Sequence, residues 1–182
     1  MMRTLIWVLG GVVLGGIIHI AVILALPSLA SEGLWSRVTA LGAASRTVVL
    51  AGVAADQPNP LRLDPELTYA VCEIDLRKGP GLLRGTLPTT FWSVAVYAPS
   101  GAIIYSTTNR DGIGSNLELG IFNAAQTRLL AEQKLDIAEG LLIVESNSDD
   151  ILAVVRLAPA HQAMRSRYEE ALSGLICGNL AS

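Results

Sequence analysis

Residues 91–107, FWSVAVYAPSGAIIYST, carry the clearest fold signal in the chain. Trp92, Val94 and Val96 interleave with Ser93, Ala95 and Tyr97, the period of two that a pleated strand imposes. Pro99-Ser100-Gly101 supplies turn chemistry and residues 102–107 return, so the segment predicts a β-hairpin. The same alternation recurs upstream. Over residues 67–76, Tyr69, Val71, Glu73 and Asp75 alternate with Ala70, Cys72, Ile74 and Leu76. Lys78-Gly79-Pro80-Gly81 reads as a turn into a short return strand at 82–87. Downstream, 117–122 is a further strand, and 141–145 with 151–157 reads as a second hairpin about the turn at 146–150. Two helices complete the pattern. Asn123 caps one that runs to about Gln133 with Leu129 and Leu130 facing in; the other, 162–175, sets Met164, Tyr168, Ala171, Leu172 and Leu175 on one stripe. Short strands at regular spacing predict a mainly β chain, a β-sandwich with helices at its margins.

Working outward, the composition departs from that of an ordinary soluble domain. Of 182 residues, 51% are hydrophobic and only 16% charged, below the usual ~25%, and the mean hydropathy is +0.47. Disorder is excluded. A net charge of −3 and a pI near 5.3 leave no basic face for nucleic acid. The apolar excess lies at the start. Residues 5–26 contain no Asp, Glu, Lys or Arg, and as a helix span about 33 Å, enough for the ~30 Å core of a bilayer. Pro27 closes the run. Ser28-Leu29-Ala30 offers small residues at signal-peptidase spacing, but a cleavable apolar region is usually ~7–15 residues, so an uncleaved anchor is the favoured reading. Arg3 precedes the run and Glu32, Arg37 and Arg46 follow it, a nearly flat charge bias. A tail this short stays in the cytoplasm, which sends the rest across the membrane. Within the span, Trp7, Gly11, Gly15 and His19 recur every four residues. Gly11 and Gly15 form a small-xxx-small pair beside His19, suited to packing on another helix; the alternative is common membrane glycines with His19 reaching interfacial water.

The expected organisation is a signal-anchor at 1–30, an amphipathic helix and linker at 31–60, and the β domain with its C-terminal helix at 61–182. Over 31–41, Ser31 can cap a helix, Leu34, Val38 and Leu41 make a stripe beside Trp35, and Gly42 stops it. Asp56-Gln57-Pro58-Asn59-Pro60 is a connector.

The chemistry is sparse. There is no H-E-x-x-H, C-x-x-C or G-x-S-x-G, and Gly112-Ile113-Gly114 lacks a dinucleotide setting, so no metal and no cofactor is expected. His161 is the single histidine outside the span and reads as a surface residue. Arg77, Lys78 and Arg84 flank a turn and read as its solvated tip, and Asn109, Arg110 and Asp111 form a polar loop end able to hold a ligand. Cys72 and Cys177 both lie beyond the span, where an oxidising compartment would let them pair; two separate buried thiols are the alternative.

Asp64-Pro65 with Tyr69-Ala70-Val71-Cys72 and Asp75-Leu76, Leu87-Pro88 with Phe91-Trp92-Ser93 and Tyr97, then Gly101 and Asn109-Arg110, resemble the bacterial domain-of-unknown-function family numbered 1254. Ile143-Val144, a strand containing Arg156 and a terminal helix ending in Cys177 fit the same order. The resemblance covers most of residues 30–180 and is to the short, membrane-anchored branch. It implies an immunoglobulin-like β-sandwich and a companion protein of the family numbered 1214, and no reaction. The resulting expectation is a single-pass protein of the bacterial inner membrane with its C-terminal domain in the periplasm, working as a non-enzymatic binding or assembly module. The competing expectation is an unrecognised periplasmic enzyme, or an accessory subunit of an envelope enzyme complex, using the loop at 109–116.

Overall fold

The computed structural model describes residues 2–29, 34–54, 56–110, 115–132 and 140–180. The chain divides into two compact units, Met1–Gly33 and Leu34–Ser182.

The described residues of the first unit form one helix, α1 (Met2–Leu29), which continues through Pro27. Its stretch Met2–Leu26 is long and apolar enough to cross a membrane, a property that an N-terminal signal sequence shares.

The second unit builds two sheets that pack together. One has the order β1-β2-β8-β4-β5 and the other β7-β6-β3-β9. The strands are β1 (Val48–Val49), β2 (Thr68–Asp75), β3 (Gly81–Thr86), β4 (Trp92–Tyr97), β5 (Ile103–Thr108), β6 (Asn116–Asn123), β7 (Leu142–Ser146), β8 (Asp150–Leu157) and β9 (Ile176–Asn179). Helices α2 (Leu34–Thr39), α3 (Ala124–Glu132) and α4 (Arg165–Ser173) complete it.

Strand alternation decides the core. Ala70, Cys72 and Ile74 of β2, Trp92, Val94 and Val96 of β4, and Ile151, Ala153, Val155 and Leu157 of β8 turn the same way. They meet Leu83 of β3, Leu117, Leu119 and Ile121 of β6, and Tyr168 and Leu172 of α4. Trp92 is fully buried, and truncating such a residue typically costs about 3–5 kcal/mol. Cys72 and Cys177 are joined by a disulfide, Cα to Cα 6.4 Å, which ties β2 of one sheet to β9 of the other.

The opposite face of the five-stranded sheet is also covered. Val71 and Leu152 are buried there under Val38 of α2, Ala43 and Leu50, with Leu61 and Leu63 of the connector packed alongside. The central strands β2 and β8 are therefore apolar on both faces at their middles, at Val71 and at Leu152 and Val154, while Glu73, Asp75, Asp150 and Arg156 also lie on the outer face.

The hairpin β4–β5 is present as the alternation predicts, with a register shift between Val96 and Tyr97. Four other expectations are corrected. The turn at 78–81 does not pair its flanking strands: β2 lies in the five-stranded sheet, whereas β3 pairs with β6 and β9. A short 3-10 turn, Leu76–Lys78, capped by the Asp75 side chain, carries the chain from one layer to the other. Nor is 141–157 a hairpin. β7 pairs in parallel with β6, and β8 inserts antiparallel between β2 and β4. Leu129 and Leu130 do not face in: Leu129 is 54% exposed and α3 has no buried residue. That helix is held at its start, where the Gln126 N–H donates to Asn123 Oδ1 and the Asn123 N–H donates to Gln126 Oε1. Finally, the terminal helix ends at Ser173, and Cys177 belongs to β9, opposite Leu83. In the 31–41 segment, Val38 is buried and Gly42 leaves the helical path at φ +67°, but Leu41 is exposed and the Ser31 cap lies outside the described residues.

Candidate functional site

The covered face of the five-stranded sheet is incompletely filled. A groove of about 280 Å³ remains between Val71, Leu152 and Val154 of the sheet, Val38 and Leu50 beside α2, and Leu61 and Leu63 of the connector. Four polar side chains enter it: Arg62, Tyr69, Tyr97 and Arg156. Register places Tyr69, Arg156 and Ser93 in one cross-strand row, and Leu152 and Tyr97 in another, with Val71, Val154 and Ala95 between. Arg156 and Tyr97 reach across that intervening row, and Arg156 Nη2 donates to Tyr97 Oη at 2.7 Å. Neither Arg62 nor Arg156 takes part in an ion pair among the described residues, and the lining carries no carboxylate.

Backbone-directed hydrogen bonds fix the cover. Asn59 Nδ2 donates to Leu63 O and the Leu63 N–H to Asn59 Oδ1, both at 2.8 Å, closing a tight loop around Arg62. Arg37 Nη1 donates to Pro60 O at 2.8 Å, joining α2 to the connector, and the Asp64 N–H donates to Tyr69 Oη. Arg62 sits at φ +51°, a left-handed conformation uncommon for a side-chain-bearing residue.

A second cavity, of about 470 Å³, lies at one end of the two sheets, between Thr86–Thr90, Ser115 and the α4 residues Arg167, Tyr168 and Ala171. Beside it, Thr90 Oγ1, Trp92 Nε1 and Asn109 Oδ1 are buried without a hydrogen-bond partner among the described residues. Asn109 does not line the cavity but is held against one of its lining residues, through its Nδ2 contact with Thr90 O, and by its N–H bond to Trp92 O. Arg110 is exposed, with its N–H on Thr108 Oγ1, and Asp111 lies outside the described residues.

The remaining expected sites are placed as follows. Gly11, Gly15 and His19 lie on the exposed surface of α1. Arg77 donates from Nε to Asp75 Oδ1 at 2.7 Å and from Nη2 to Asp150 Oδ1, while Arg77, Lys78 and Arg84 all remain exposed. The Arg77 guanidinium holds the Asp75 carboxyl below its ordinary range. No cluster of three or more His, Cys, Asp or Glu suited to a metal occurs among the described residues.

The groove is what sequence reasoning missed. Its one available signal is Arg156 standing inside the apolar run 151–157, a cation in a strand that is otherwise enclosed on both sides.

No family model matches the chain, and no curated protein matches it. Among solved structures, it is similar to the VPA0106 protein from Vibrio parahaemolyticus, with a TM-score of 0.52 and 10% identity over 65% of this chain and 29% of that one. An uncharacterized protein from Burkholderia cenocepacia aligns with a TM-score of 0.39 and 11% identity, over 65% of this chain and 32% of that one. The first likeness is one of fold, and this chain spans less than a third of the length of either structure.

Proposed function

We propose that this chain is a membrane-anchored assembly module of the bacterial envelope, non-enzymatic, whose periplasmic domain docks a companion protein of the family numbered 1214. On this reading α1 is an uncleaved inner-membrane span, and the two packed sheets are the immunoglobulin-like sandwich of the family numbered 1254. The disulfide supports the compartment, because such bonds persist where the surroundings are oxidising. One observation carries the docking. β5 forms an edge of the five-stranded sheet, pairs with β4, and over Ile103–Thr108 contains no charged residue and no proline. Ile103 is 60% exposed. Proteins ordinarily protect such edges with lysine, proline or a bulge; β5 has neither lysine nor proline and one irregularity, where the register skips Ile104, and an edge without charge remains suited to strand addition by a partner.

The test is recovery of partners from native membranes in mild detergent. Ile103→Lys with Ser106→Lys should abolish recovery of the companion while leaving the disulfide intact. Equal recovery from variant and wild type removes β5 as the docking edge. A reporter active only in the periplasm, fused after Ser182, should be active; a working cytoplasmic reporter there overturns the topology.

A second reading, an envelope enzyme or an accessory subunit of one, draws on Thr90, which lines the 470 Å³ cavity, and its neighbours Trp92 and Asn109, whose buried polar atoms lack a partner among the described residues. It gains if ligand-observed NMR with a periplasmic extract gives binding that Asn109→Ala removes.

A further inference from the structure

We infer that the groove over the outer face of the five-stranded sheet binds the carboxylate end of a short acyl chain. This site is separate from the β5 edge, so its test stands apart from that of the docking proposal. Three observations converge. The groove has apolar walls and a floor of Val71, Leu152 and Val154, which favours a hydrocarbon. Its two charges, Arg62 and Arg156, are both positive, and no carboxylate among the lining or the ion pairs of the described residues answers them. Arg62 is exposed, but Arg156 is half-buried, and a guanidinium left there without an anion among the described residues is complementary to an anionic head group.

The donor set selects the head. Arg156 spends one N–H on Tyr97 Oη, which leaves further N–H groups of its planar fork free to donate. Because Tyr97 Oη accepts that bond, its own hydrogen is available as a donor beside the fork. An N–H and an O–H side by side match the two oxygens of a carboxylate. A phosphate, with three oxygens and a second charge, would leave acceptors unmatched. The volume, about 280 Å³, lies at the small end of ligand sites, which suits a chain of intermediate length rather than a whole lipid.

The full chain in phosphatidylcholine nanodiscs is titrated with hexanoate, octanoate and decanoate, and with octanol, octyltrimethylammonium and octyl phosphate as controls. Binding is read by saturation-transfer NMR and by the emission of Trp35, which packs against the same apolar cluster. Trp7→Phe is the background, and empty nanodiscs give the partition blank. Affinity should rise about fourfold per added methylene, the equivalent of ~0.8 kcal/mol per buried CH₂, until the groove is filled. Octanol and octyltrimethylammonium should bind at least tenfold more weakly than octanoate. Arg156→Gln should weaken octanoate about ten- to a hundredfold, and Tyr97→Phe, which keeps the groove's shape, should weaken it by a smaller factor. Octanoate binding that is equal in wild type, Arg156→Gln and Tyr97→Phe overturns the inference, as does octanol binding as tightly as octanoate. Binding of octyl phosphate without octanoate overturns the carboxylate assignment.

Discussion

Removing the Cys72–Cys177 bond isolates what holds the two sheets together. The bond closes a loop with a sequence separation of 105, for which loop-closure entropy gives about 4.7 kcal/mol in the unfolded chain. Both sulfurs are buried, Cys72 beside Ala153 in register and Cys177 beside Leu83, so replacement by serine would add two unsatisfied hydroxyls. Alanine avoids that complication. The double variant Cys72→Ala, Cys177→Ala keeps every strand pairing and loses only the cross-link and two buried sulfur atoms. The expected destabilisation is therefore about 3–5 kcal/mol. With a urea slope near ~2 kcal/mol per molar, the unfolding midpoint should fall by about 2 M. Trp92, wholly buried between the sheets, reports the transition by its emission, with Trp7→Phe and Trp35→Phe as the background. The full chain is studied in a nonionic micelle, and wild type with reductant should match the double variant. A midpoint lowered by less than about 0.3 M in both would refute the reasoning, because the core alone would then hold the sheets.

Three further outcomes are expected. Asn123→Ala removes one half of the reciprocal cap on α3 and should cost about 1 kcal/mol; since α3 buries no side chain, amide exchange over 126–132 should accelerate while β6 stays protected. The carboxyl of Asp75 is held below its ordinary pKa by Arg77, so its contribution is present above the unfolded value and is lost as pH falls through the lowered one. Asp75→Asn should accordingly flatten the decline of the urea midpoint below about pH 4, and an unchanged acid limb would count against the pair. If α1 spans the membrane as proposed, Gly11→Ile with Gly15→Ile should reduce partner recovery relative to Val13→Leu with Ile17→Leu, each lost contact being worth ~0.6–2 kcal/mol; equal recovery would remove the glycine face as a recognition element.

What the sequence disclosed was local. Residues 91–107 announce a hairpin because alternation, turn residues and return strand all lie within one short window, and the structure forms β4–β5 there. The turns at 78–81 and 146–150 look equally persuasive, yet each crosses between sheets. Turn chemistry reverses a chain without choosing its neighbour; that choice is made by distant strands competing for the same hydrogen bonds. β8 wins both sides of the centre, pairing with β2 and β4, because its apolar residues suit enclosure on two faces. For the same reason the groove was invisible. Tyr97 shows in the sequence only as part of the 91–97 alternation and Arg156 only as a cation within an apolar run, and it is the pairing of β4 with β8 that lets them meet across the row of Ala95 and Val154. Asn109 was legible as a loop polar residue, but its link to Thr90 and Trp92 depends on pairings that no spacing encodes.

The cover at 34–63 follows from the apolar outer surface of the five-stranded sheet, and it also explains why the groove is polar where it is open. Val71 and Leu152 demand shielding, which α2, Leu50, Leu61 and Leu63 provide from a segment with little regular structure. Irregular backbone must place its own hydrogen bonds, and here Asn59, Arg37 and Tyr69 take them at the margins. A cover fastened at its margins does not fill its middle. Were the remaining 280 Å³ dry and closed, ~24 cal/mol per Å³ would make it cost about 7 kcal/mol, comparable with the whole stability of a domain. The groove is instead open, and Arg156, Tyr97 and Tyr69 give its lining polar groups of the kind that make such a space tolerable. A ligand that fills the groove must offer hydrogen-bond acceptors to the guanidinium and phenol while supplying hydrocarbon to Val71, Leu152 and Val154. The polar groups that make the unfilled groove tolerable are thus the ones that select an acyl carboxylate over a purely apolar guest.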